Sequence, residues 1–166
     1  MGHVMESELG EGPLVLGMRV ARDAKWNVGG QARVDLVLRN AGGSDVKFTQ
    51  TPRADNGLSV VAVDADGKEH QAEIAQFDGL LVSNHLLLPR GHMVMVKSFT
   101  LRFDPEKRDS SEPDVAAFHL PPGDYTLRCK WSDARRDVAH EGEWIGELVS
   151  VEHKFQLAAA PAASEK

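Results

Sequence analysis

Apolar and polar side chains alternate along most of this chain. Between Pro13 and Arg22, Leu14, Leu16, Met18 and Val20 share one face. Between Ala32 and Asn40, Val34, Leu36 and Leu38 alternate with Asp35, Val37 and Arg39, and Val46 and Phe48 fall together a few residues later. From Gly123 to Trp131, Tyr125, Leu127, Cys129 and Trp131 alternate with Thr126, Arg128 and Lys130. From Glu147 to Leu157, Val149, Val151, Phe155 and Leu157 share a face on which His153 is the exception. A period of two with one wet side is the signature of strands that bury a single face.

Turn residues cut these runs at short intervals. Asn40–Ser44, Asp66-Gly67, Pro89-Arg90-Gly91 and Pro121–Asp124 are breakers, and an Asp-Gly pair between apolar runs is a strong hairpin signal. Ser83–Phe99 therefore reads as strand, turn and strand, with arms at Leu86–Leu88 and Met93–Phe99. Alternation places Met93 and Met95 with Phe99, Leu101 and Phe103 on a core face that Lys97 interrupts. It places His92 opposite them, with Val94 and Val96.

No long amphipathic helix is evident. The stretch 104–118 is polar and interrupted by Pro113; it reads as a loop with one helical turn at Pro113–Ala116. A second long loop is expected over 132–143. The expected fold is all-β: a single antiparallel β-sandwich of about seven to nine strands over residues 13–157. A flexible segment, 1–12, precedes it, and a disordered tail, 158–166, follows.

Composition narrows the function classes. With 166 residues, 42% of them hydrophobic, the chain can bury one real core. A net charge of -6 argues against nucleic-acid binding, which needs clustered cations. The only dense basic spot is Arg135-Arg136, flanked by Asp133 and Asp137. One cysteine, Cys129, leaves no internal disulfide and no Cys-rich zinc site. No apolar run approaches the roughly 18 residues of a membrane helix, so no direct membrane insertion is expected. The N-terminal stretch has neither the basic nor the apolar region of a signal peptide.

Several motifs have the letters of chemistry without its spacing. Asp64 and Asp66 begin like a calcium loop, but glycine is fourth and Ala75 stands where a glutamate ligand is needed. No nucleophile elbow and no phosphate-binding glycine loop occurs. Cys129, on an apolar strand face, reads as a structural thiol. His85, His92, Met93 and Met95 carry the soft ligands that copper favours. Strand alternation splits His92 from the two methionines, so copper is the alternative and no cofactor the first expectation.

The run from Gly30 to Gly42 with Val46 and Phe48, the Val63–Lys68 hairpin, the Leu88–Gly91 turn, the Leu120–Leu127 strand and the Trp144–Ser150 strand come in a familiar order. Over about residues 14–157 the chain resembles the immunoglobulin-like domains of planctomycete-type bacterial envelope and secreted proteins. Some of those domains follow membrane metallopeptidase regions of the BlaR type. It is more distantly similar to the intracellular proteinase inhibitor domain of Bacillus. The peptidase motif His-Glu-x-x-His is absent, so no catalytic role carries over. The resemblance implies a non-enzymatic module, periplasmic or extracellular, that contacts a protein partner through loops or edge strands. Trp26, Trp144, Arg135 and Arg136 are the candidate contact residues; the two tryptophans would also suit carbohydrate stacking. The loop 104–118 would serve the alternative of a proteinase inhibitor.

Overall fold

The structure is a computed structural model that describes residues 5–6, 12–50, 57–75, 84–107, 112–132, 142–144 and 146–162. The described residues form strands and no helix. One sheet has six strands in the order β1 (Met5–Glu6), β2 (Leu14–Val20), β3 (Gln31–Asn40), β9 (Met93–Phe103), β10 (Val115–Phe118) and β7 (Glu73–Ile74). The second runs β12 (Glu147–Val149), β11 (Gly123–Ser132), β5 (Leu58–Asp64) and β6 (Glu69–Gln71), with β13 (His153–Leu157) also on β11. β4 (Val46–Gln50) and β8 (Asn84–Leu88) make a separate antiparallel pair.

One core lies among these sheets, consistent with a β-sandwich. Leu14, Leu16 and Met18 of β2 and Val34, Leu36 and Leu38 of β3 meet Val60, Ala62, Leu127 and Cys129 from the other sheet. Cys129 Sγ lies 3.8 Å from Met18 Sδ, a direct contact between the two layers. The segment Glu69–Ile74 passes from one sheet to the other. β6 pairs with β5, β7 pairs with β10, and the buried Ala72 between them donates its N–H to Val60 O at 2.9 Å. Strands that switch sheets in this way make the corners of a sandwich.

The Asp64–Lys68 hairpin forms as its sequence predicts. Asp64 Oδ1 accepts the N–H groups of Asp66 at 3.0 Å and Lys68 at 2.9 Å, and Gly67 has φ +81°, a backbone state that favours glycine. Asn40 ends β3 fully buried. Its Nδ2 donates to Ser44 O at 2.8 Å and Leu88 O at 3.0 Å, and its Oδ1 accepts from Gly42 N at 2.9 Å. One side chain thus closes the turn after β3 and ties it to β8.

Three strand details depart from simple alternation. Val37 pairs with Met95 and Leu36 with Lys97, so Val96 is an extra residue on β9. This bulge shifts the parity of the strand. Val96, Phe99, Leu101 and Phe103 point into the core, while Met93 and Met95, expected there, are 51% and 52% exposed. A second irregularity separates β12 from β13 on β11. Leu148 and Ser150 are buried before it, and Phe155 and Leu157 after it; Val149 and Val151 are only partly buried. Finally, Val115–Phe118 is a strand parallel to β9, not part of a helical turn. Ala116, Ala117 and Phe118 are all buried, so no alternation marks the strand. Asp114, with φ 58°, precedes it.

Candidate functional site

Three places collect side chains with chemical potential. The first is built on the β4–β8 pair. Register sets Thr49 opposite His85. Glu143 reaches both: Thr49 Oγ1 donates to its Oε2 at 2.6 Å, and His85 Nδ1 is 2.8 Å from its Oε1. The Glu143 side chain is 4% exposed and the His85 side chain 39%. Trp144 holds Glu143 in place. Its N–H donates to Lys47 O at 2.7 Å, and its ring stacks on Trp131 at 6.1 Å and 5°. Gly146 permits this, since a Cβ there would lie 2.8 Å from the Trp144 ring. A carboxylate facing Nδ1 favours the tautomer that carries its proton there and leaves Nε2 as an acceptor.

The second place is the outward face of the six-stranded sheet, where Met93 and Met95 project. Val37, directly across from Met95, is buried although it points outward. Leu87, the other exposed large apolar residue among those described, lies before the same Pro89–Gly91 turn. His92, at the end of that turn, places Nδ1 3.1 Å from Arg90 O.

The third is a cleft of about 190 Å³ at the corner between the sheets. His70, Gln71 and Glu73 of the switching segment line it, with Asp104, Glu106 and Lys107 opposite. Asp104 Oδ1 accepts from Arg102 Nε at 2.7 Å, while its buried Oδ2 has no hydrogen-bond partner. His70 Nε2 lies 2.9 Å from Asp64 Oδ2. That hydrogen bond, with the N–H groups of the turn, holds the Asp64 carboxyl below its usual range. The cleft is smaller than the roughly 300–1,000 Å³ of small-molecule sites.

The predicted residues thus separate. His85 joins Glu143 and Thr49, His92 faces its own turn, and Met93 and Met95 lie together on the sheet face. Among the described residues no group of three or more His, Cys, Asp and Glu side chains converges to hold a metal ion. Trp26 packs on Phe155 at 4.6 Å, on His153 at 5.6 Å and on Phe103 at 5.7 Å. Trp26 and Trp144 therefore both stack on neighbours within the chain. Arg135 and Arg136 lie outside the described residues, as do 133–141 of the loop 132–143 and 108–111 of the loop 104–118. Thr49 and Glu143 were not visible from sequence, because 94 residues separate them and no local pattern links the two.

Comparison with models of known protein families and with curated proteins returns no match. No helix among the described residues is long and apolar enough to cross a membrane.

Proposed function

We infer that this chain is a non-catalytic interaction module: an immunoglobulin-like sandwich that binds a protein partner within a bacterial envelope or secreted assembly. The observation that carries this reading is the exposure of Met93 and Met95, at 51% and 52%, on a strand interior to its sheet. Clustered exposed apolar groups mark contact surfaces, and methionine is over-used at adaptable ones. The immunoglobulin-like assignment and the periplasmic or extracellular setting rest on the sequence resemblance. The contact surface is a sheet face, a different place from the loops and edges that the sequence suggested.

The test is partner capture followed by reconstitution. A partner that co-purifies with the wild-type chain is produced on its own, and its affinity is measured against wild type and against Met93→Ser/Met95→Ser. Loss of affinity with an unchanged melting temperature is expected. Equal affinity for both proteins refutes the reading. A copper-induced rise in melting temperature that the double substitution abolishes would replace it with metal handling, since a ligand of the native state must stabilise that state.

A further inference from the structure

We propose that Met93 and Met95 are a paired site of reversible oxidation, at which a peroxide converts both thioethers to sulfoxides and so turns an apolar contact into a polar one. The consequence for binding rests on the interaction reading above; the chemistry does not. The two side chains are 51% and 52% exposed. They stand two residues apart on β9 and share its outward face. At a rise of about 3.3 Å per residue their Cα atoms are roughly 7 Å apart, so both sulfurs belong to one small area of surface. The bulge at Val96 puts them there. Beyond it Val96, Phe99, Leu101 and Phe103 fill the inward face and are buried. Without the extra residue the parity of the strand would carry both thioethers into the core, out of reach of an oxidant.

Two other sulfur groups, Met18 and Cys129, are withdrawn. Met18 is 2% exposed and Cys129 0%, and they touch at 3.8 Å between the layers. Burial pushes the Cys129 thiol up to about 12, which keeps it from the thiolate form that reacts. Exposure and thiolate character govern sulfur oxidation, so the pair on β9 reacts before either. The step moves two electrons. A lone pair on the methionine sulfur attacks one oxygen of hydrogen peroxide, the O–O bond breaks and an S–O bond forms. The departing hydroxide takes up the proton of the transferred hydroxyl and leaves as water. A methionine sulfoxide reductase reverses the step; two thiols are oxidised to a disulfide and the sulfoxide oxygen leaves as water. Because both side chains project from the sheet, oxidation adds two dipoles to its surface and leaves the β3–β9 pairing in place. A leucine pair would offer a similar apolar contact without this chemistry.

In the experiment, the full chain is treated with hydrogen peroxide, sampled over time, and mapped at each methionine by mass spectrometry. Retention on a phenyl hydrophobic-interaction column and melting are read on the same samples, with Met93→Leu/Met95→Leu alongside. Met93 and Met95 should oxidise roughly tenfold or more faster than Met18. Retention should shorten with that step at an unchanged melting temperature, and the two epimer-specific sulfoxide reductases should restore it. The leucine variant should hold its retention through the same treatment, which accounts for oxidation at Met1 or Met5. Oxidation of Met18 as fast as the pair would overturn the proposal. So would unchanged retention of the oxidised wild type, a shortening that persists in the leucine variant, or retention that the reductases do not restore. A melting temperature that falls as the pair oxidises would overturn it too. Should the leucine variant fail to fold, the wild-type mapping and its reversal decide the site. Each of these outcomes leaves the affinity of Met93→Ser/Met95→Ser for a partner as a separate test. A partner indifferent to that variant refutes the interaction reading, and with it the consequence for binding, but not the oxidation site.

Discussion

Replacing Asn40 by alanine removes three hydrogen bonds at one point: to Ser44 O, to Leu88 O and from Gly42 N. Each net bond is worth about 1 kcal/mol, and a buried group left unpaired costs about 1–3 kcal/mol. The bond to Leu88 O is fully buried, whereas the other two lie where water can replace them in part. The expected loss is about 2–4 kcal/mol. At a urea slope of about 2 kcal/mol/M, the midpoint should fall by roughly 1–2 M with the slope unchanged. Asn40→Asp sharpens the test. It keeps an acceptor for Gly42 but turns a carboxylate oxygen towards two carbonyl oxygens in a site with no exposure. Burial and that repulsion raise the folded pKa of the new carboxyl above its unfolded value near 3.9. The folded state then binds the proton more tightly, so Asn40→Asp should be worse than alanine at pH 7 and should recover as the pH falls towards 4.5. An alanine cost below about 1 kcal/mol, or an aspartate variant equal to alanine with no acid recovery, would refute the account of Asn40 as the staple between the turn and β8.

Two further outcomes follow from buried titratable groups. Burial pushes the Cys129 thiol up to about 12, so a thiol reagent at pH 8 should label it only as urea unfolds the chain; fast labelling of the native protein would contradict that burial. Burial holds His153 below its ordinary value near 6.5. Its contribution is therefore complete above that value and is lost as the pH falls through the folded pKa. Melting temperatures between pH 8 and pH 5 should fall less steeply for His153→Phe than for wild type, and parallel curves would refute the point.

Alternation exposed most of this architecture in the sequence, because each long strand buries one face. β2, β3 and β11 point their apolar residues inward as their patterns predict, Asn40 ends β3 just before its turn, and Asp66-Gly67 sits in a turn. Where the pattern misled, the chain had added a residue or covered both faces. The extra Val96 on β9 turned Met93 and Met95 outward, and no periodicity measured along one strand can reveal a bulge defined by its partner. The interruption between β12 and β13 did the same to Val149 and Val151. Val115–Phe118 is too short and too evenly buried to show a period. The Thr49–His85–Glu143 cluster was illegible for a different reason: it arises only when the β4–β8 register and the Trp131–Trp144 stack bring distant segments together.

The passage of Glu69–Ile74 between the sheets has a consequence for how the molecule comes apart. Two leaves joined only by loops could separate and unfold one at a time. Here a single extended run of chain is hydrogen-bonded to both, so detaching either leaf strips pairing from that run and weakens its hold on the other. The linkage favours loss of both leaves in one cooperative step.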